Sequence, residues 1–184
     1  ALHGSQAVFL NLPSTSFQVA APLVAAAGSI ARAAAAMPQP PLLVFNTSLP
    51  VPTEKRGFAA QDARHEMRRR IFAAGVPAIS IEPVVFLDNL LKGWAWPSIA
   101  QRNVLQYAHA PTLDVSWICH DDLAGRSFPV GGPQTVRLPE LNQILARAWN
   151  RPLTWHSQSV DDFCRHMRAA MEGRWTLDLD AMIS

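Results

Sequence analysis

Residues 42–48 read LLVFNTS, four apolar residues in a row closed by asparagine, threonine and serine. Apolar side chains at successive positions mark a strand covered on both faces, and the small polar residues mark the loop that leaves it. Prolines at 38, 40 and 41 stop any helix arriving from upstream. That helix is expected over 17–37, alanine-rich with Arg32 as its one charged residue, a composition suited to close packing on a sheet. Before it, residues 6–12 (QAVFLNL) form another buried strand, ended by Pro13 and Ser14. Downstream, 53–56 is polar loop, and 59–74 is helical with Gly75 placed to cap it. Residues 78–81 (AISI) make a third strand, closed by Glu82 and Pro83. Buried strands alternating with helices require an α/β fold with a doubly wound parallel sheet. Ligands of such sheets bind beyond the carboxyl ends of the strands, so the loops at 13–16, 46–50 and 83–86 are expected to share one rim.

After Val85 the pattern changes. Residues 87–91 read as a short helix, 93–97 (GWAWP) as a loop, 103–107 and 115–120 as strands, and 121–126 as a helix. A turn at Gly131, Gly132 and Pro133 leads to a strand at 135–138 and an amphipathic helix at 139–149, with Pro139 in its first turn and Asn150 as a left-handed cap. One more strand is expected at 153–156, then a helix capped by Ser159 and running to 171. The tail at 175–184 has no clear pattern. The domain division expected is 1–86 for the sheet domain and 87–184 for a small C-terminal α+β lobe interleaved with the last strands of the sheet.

Of the 184 residues, 49% are hydrophobic and 16% charged, enough for one sizeable core. A net charge of +2 is far from the basic excess of a nucleic-acid binder. No apolar run reaches the length of a membrane span, so no membrane partner is expected. Cys119 and Cys164 lack metal-type spacing and read as thiols in a reducing, cytoplasmic setting.

Five stretches, in order, carry a family resemblance: ALHGSQAVFLNLP (1–13), LLVFNTS (42–48), AAGVPAISIEPVVFLDNLL (73–91), VSWICHDDLAG (115–125) and VGGPQTVRLPELNQILARAWNRPLTW (130–155). Together they resemble the NmrA-like group of atypical short-chain dehydrogenase/reductases over nearly the whole chain. The resemblance implies a Rossmann-like NAD(P)-binding fold, with Ala1 falling just before the fourth strand of the sheet. None of the nine glycines forms the G-x-G-x-x-G spacing, so the loop that cradles a pyrophosphate is not among these residues. NAD or NADP is therefore expected as cofactor only where that loop is supplied from upstream. The strand at residues 7–10 is expected to be an open edge that seeks an upstream segment or a partner chain, such as a homodimer.

The resemblance implies cofactor contacts at Leu12, Pro13, Asn46, Thr47, Arg64, Pro83, Val84 and Phe86, and substrate contacts at Ser48, Asn89, Trp94 and Trp96. Thr47 and Ser48 equally close a strand, and Trp94 and Trp96 equally pack a lobe or a dimer contact. The Tyr-x-x-x-Lys pair of the wider superfamily is absent: the one tyrosine is Tyr107, with Pro111 four places on, and Arg64 stands at the lysine position with Ala60 at the tyrosine position. No catalytic residue is assigned. No metal site is expected either, since Arg69 replaces the second histidine of an H-E-x-x-H motif at His65-Glu66, and His120-Asp121-Asp122 reads as a strand end and helix start. Cys119 and His120 point to opposite faces of a strand and make no dyad. The run Arg64, Arg68, Arg69, Arg70 is expected on a solvated helix face. The function implied is an NAD(P)-dependent oxidoreductase of small carbonyl or quinone-like substrates; the alternative is a non-catalytic NAD(P)-sensing or regulatory protein.

Overall fold

The computed structural model describes residues 2–12, 20–119, 132 and 134–171. The expected loop at 13–16, the first turn of the first helix, the helix at 121–126, the His120-Asp121-Asp122 group, Gly131, Pro133 and the tail at 175–184 lie outside the described residues. The chain divides into two compact units, Ala1–Pro83 and Val84–Ser184.

In the first unit, β1 (Ala7–Asn11), α1 (Ala20–Ala35), β2 (Leu42–Asn46), α2 (Ala59–Ala73) and β3 (Ala78–Ile81) alternate as the sequence requires. The strands are parallel in the order β1-β2-β3. The smallest side chains of α1 face inward: Val24, Ala27, Gly28, Ala31 and Ala34 are buried, at helical spacing. They close with Met67 and Ile71 of α2 over Leu10, Leu43 and Phe45 of the sheet. Two crossovers that advance in one direction put both helices on one face of the sheet. The other face carries Phe9, Val44 and Ile79 side by side, and Phe9 is 56% exposed. This is one half of a doubly wound sheet. Gly75 caps α2 in the left-handed region at φ 74°, as its position predicts. Among the described residues β1 pairs with β2 alone.

In the second unit, β4 (Val85–Phe86) leads into a 3-10 helix at Leu87–Leu91, then α3 (Trp96–Arg102) and β5 (Val104–Tyr107). Next come β6 (Val115–Ile118), β7 (Thr135–Val136), α4 (Leu138–Ala148), β8 (Thr154–Ser157) and α5 (Val160–Ala170). Two small sheets result, β4-β6-β7 and the parallel pair β5-β8. The expectation of a plain loop at 93–97 is corrected: α3 begins inside it, with Pro97 in the first turn, where a missing N–H costs nothing. Asn103 ends that helix in the left-handed region at φ 57°. The strand expected at 135–138 is shorter, because Leu138 already opens α4. Gly132 has no substitute, since a Cβ there would overlap the Trp117 carbonyl. Leu90, Ile99, Leu105, Leu138, Leu141 and Leu145 form the centre of this unit's core. No helix among the described residues is long and apolar enough to cross a membrane.

Candidate functional site

The rim of the first unit is built by strand register. Asn11, Asn46 and Ile81 stand abreast at the carboxyl ends of the three parallel strands. Thr47 extends the ladder by donating its N–H to the Ile81 carbonyl at 2.9 Å. The Asn46 side-chain oxygen accepts the Ser48 N–H at 3.0 Å, which holds Ser48 in the left-handed region at φ 62°. The Thr47 side chain is buried, its hydroxyl 2.6 Å from the Leu49 carbonyl and 3.0 Å from that of Ile81. A hydroxyl has one proton to donate, so these carbonyls share it. The Ser48 side chain is half-buried, and its hydroxyl has no partner among the described residues.

Arg64 reaches the rim from α2. Its guanidinium donates to the Thr47 carbonyl at 2.6 Å and to the Ala60 carbonyl at 2.9 Å. Burial pulls this guanidinium below its ordinary pKa. The basic run therefore needs a correction: Arg64 is 5% exposed and belongs to the inward stripe of Ala60, Met67 and Ile71. Arg68 is also not on a free solvated face, since it pairs with Glu82 at 2.5 Å and donates to the Pro52 carbonyl at 3.0 Å. Arg69 and Arg70 both pair with Glu66 and fit the solvated reading better.

Glu82 is the rim residue that sequence reasoning missed. Its carboxylate accepts the Val51 N–H at 3.0 Å as well as Arg68, which ties the loop after β2 to the end of β3 and to α2. Asp62 fixes the far end of that loop, accepting the N–H groups of Arg56 and Gly57. The signal lay in Glu82 directly following an apolar strand, where a charge needs a partner. Leu12 is half-buried just past β1, Pro83 is fully buried just past β3, and Pro13 lies outside the described residues.

The other expected residues lie in the second unit. Val84 precedes β4, and Phe86 pairs in register with Ile118 of β6. Asn89 hydrogen-bonds the Tyr107 hydroxyl, and burial pushes that phenol up to about 12 despite this bond. Trp94 packs on Tyr107 and Phe163 at ring distances of 5.5 and 5.7 Å. Trp96 is instead 38% exposed and meets Trp149 edge-on at 6.0 Å. The structure therefore sends the two tryptophans of the GWAWP stretch to different neighbourhoods. Inside the aromatic group, burial lowers the His109 pKa. Its Nδ1 and the Trp117 Nε1 are buried without hydrogen-bond partners among the described residues. No group of three metal-ligating side chains occurs among the described residues.

No family model and no curated protein matches the chain. Solved structures do. Triphenylmethane reductase of Citrobacter sp., complexed with NADP(H), superposes with a TM-score of 0.70 at 11% identity over 98% of this chain and 66% of its own. The NADPH-dependent quinone oxidoreductase of Escherichia coli, complexed with NADPH, gives 0.68 at 16% identity over 99% and 72%. A nucleoside-diphosphate-sugar epimerase from Staphylococcus aureus gives 0.67 at 13% over 99% and 73%. The chain thus has the Rossmann-like α/β fold of NAD(P)-binding proteins, and it spans 66% of the length of the first of these neighbours. At 11–16% identity, the likeness to these reductase and epimerase structures is one of fold, and it agrees with the Rossmann-like fold expected from the sequence.

Proposed function

We propose that this chain is the later part of an NAD(P)-dependent oxidoreductase that reduces small carbonyl or quinone-like compounds, with the nicotinamide end of the cofactor at the carboxyl ends of β1, β2 and β3. The observation that carries the reading is the rim itself, three parallel strand ends held in register at Asn11, Asn46 and Ile81. Such an end is where open α/β sheets bind ligands. The residues fit one part of a dinucleotide and not the other. Pyrophosphate would need the glycine-rich loop, which is not among the 184 residues. For the nicotinamide end, Leu12 and Pro83 supply apolar edges, while Asn46 accepts the Ser48 N–H, Thr47 donates to the Leu49 and Ile81 carbonyls and Arg64 donates to the Thr47 and Ala60 carbonyls, which together set the backbone shape. Ser48, whose hydroxyl has no partner among the described residues, is the group available to a substrate oxygen. The cofactor, when bound, supplies hydride.

A second reading, an NAD(P)-sensing protein without turnover, is favoured by the missing Tyr-x-x-x-Lys pair and by an Arg64 engaged with two backbone carbonyls. The natural full-length protein, mixed with NADPH and a panel of quinones and aldehydes, separates the two. Steady NADPH oxidation is expected, and it should fall when Ser48 is replaced by alanine. Tight NADPH binding without oxidation would establish the sensor instead. Absence of any NAD(P) binding, measured by calorimetry, would overturn both.

A further inference from the structure

We infer that the second unit holds a binding site of its own for a small, uncharged polyhydroxylated ring, in the cleft between the β5-β8 pair and α5. In the parallel pair, Gln106 and His156 are register partners. Gln158 follows two residues beyond His156, and alternation puts it on the same side. From α5, Asp162, Arg165, His166 and Ala169 project at spacings of three, one and three, which is one helical face. Those seven residues line an open cleft of about 460 Å³. A groove between a helix and a sheet is ordinarily closed by apolar side chains. This one is lined by amides, imidazoles and an ion pair, while the apolar face of α5, Phe163, Cys164 and Met167, is buried elsewhere.

Gln158 is the observation that points to a ligand. It is 9% exposed, and its side chain makes no hydrogen bond among the described residues, although its N–H is satisfied by the Tyr107 carbonyl at 2.9 Å. Lining the open cleft without a protein partner among the described residues, its carboxamide offers donors and an acceptor to whatever enters. It lines both the open cleft and a recess behind it, whose wall is formed by Trp94, Ala95 and Ser98.

The chemistry of the lining selects the ligand. Arg165 and Asp162 pair at 2.7 Å, so their charges cancel, and an anion would meet the carboxylate while a cation would meet the guanidinium. Carboxamides carry donors and an acceptor, and imidazole rings present further polar nitrogens. Hydroxyl groups match both at once, and a ring bearing several can engage Gln106, Gln158 and His156 together.

The test is titration of the protein with methyl β-D-glucopyranoside, D-ribose and myo-inositol, each beside inorganic phosphate, read by calorimetry and by the imidazole resonances of His156 and His166. At least one polyol is expected to bind saturably and to shift both imidazoles. Gln158→Leu should weaken it about tenfold or more, while the thermal midpoint is little changed, because the carboxamide makes no hydrogen bond among the described residues. Gln106→Leu, at a less buried position, provides the same test if Gln158→Leu does not fold. No saturable binding by any polyol, an affinity unchanged by the substitution, or saturation by phosphate in their place would each overturn the proposal.

Discussion

Tyr107 is the one tyrosine of the chain, so its ionisation can be followed without interference. Burial raises its folded-state pKa from 10.0 to about 12. A group whose pKa is raised by folding contributes stability that is whole below the unfolded value and disappears as pH climbs through the folded one. Stability should therefore decline between about pH 10 and pH 12, and the tyrosinate absorbance band should appear only near the upper end in the native protein. Tyr107→Phe is expected to flatten this alkaline limb in urea titrations run across the range. An absorbance transition near pH 10 in folded protein would show that the ring is open to water. Arg64 gives a second test at this scale. Arg64→Met leaves the Thr47 and Ala60 carbonyls without their guanidinium donor, and a loss of about 2–3 kcal/mol is expected in chemical denaturation. Arg64 also shows where the sequence stops being legible. Its position on a helix was plain, but whether a long cationic side chain turns inward depends on a carbonyl supplied by a strand 17 residues away. Glu82 and Arg68, 14 residues apart, were hidden for the same reason.

At the level of elements, periodicity was enough for β1, β2, β3, α1 and α2, because strands covered on both faces and a small-residue helix leave few alternatives. It was weaker in the second unit. There β4 and β7 are two residues each, and strands that short have no period to read. The start of α3 was concealed by Pro97, a residue that signals either a loop or a first helical turn. The α1 interface allows a direct measurement. Gly28 is buried in mid-helix, and a Cβ there would meet the Arg32 guanidinium and the Arg70 Cδ at 3.3 Å each. Both neighbours are flexible side chains that can yield by a few tenths of an ångström. Gly28→Ala should then gain the helix-propensity difference, raising stability by about 0.5–1 kcal/mol in urea unfolding. A loss of similar size would mean that α1 and α2 are locked too tightly for either arginine to move.

For the molecule as a whole, the governing fact is that both helices of the first unit lie on one face of its sheet. The chain order of strands fixes this, since β1, β2 and β3 advance in one direction and each crossover carries its helix to the same side. The class of fold was therefore readable from the order of elements alone. What needed coordinates was the state of the other face, where Phe9, Val44 and Ile79 lie abreast. Phe9 is 56% exposed on an edge strand, and an apolar edge is a template for pairing with another chain. The 184-residue chain by itself is accordingly expected to self-associate with rising concentration in sedimentation experiments. Phe9→Lys should shift it toward monomer by placing a charge on that edge. The same substitution should change folding stability by less than about 0.5 kcal/mol, because little of the Phe9 side chain is buried to begin with. Unaltered association after Phe9→Lys would move the contact away from β1. A large loss of stability would instead mean that the Phe9 ring is covered in solution.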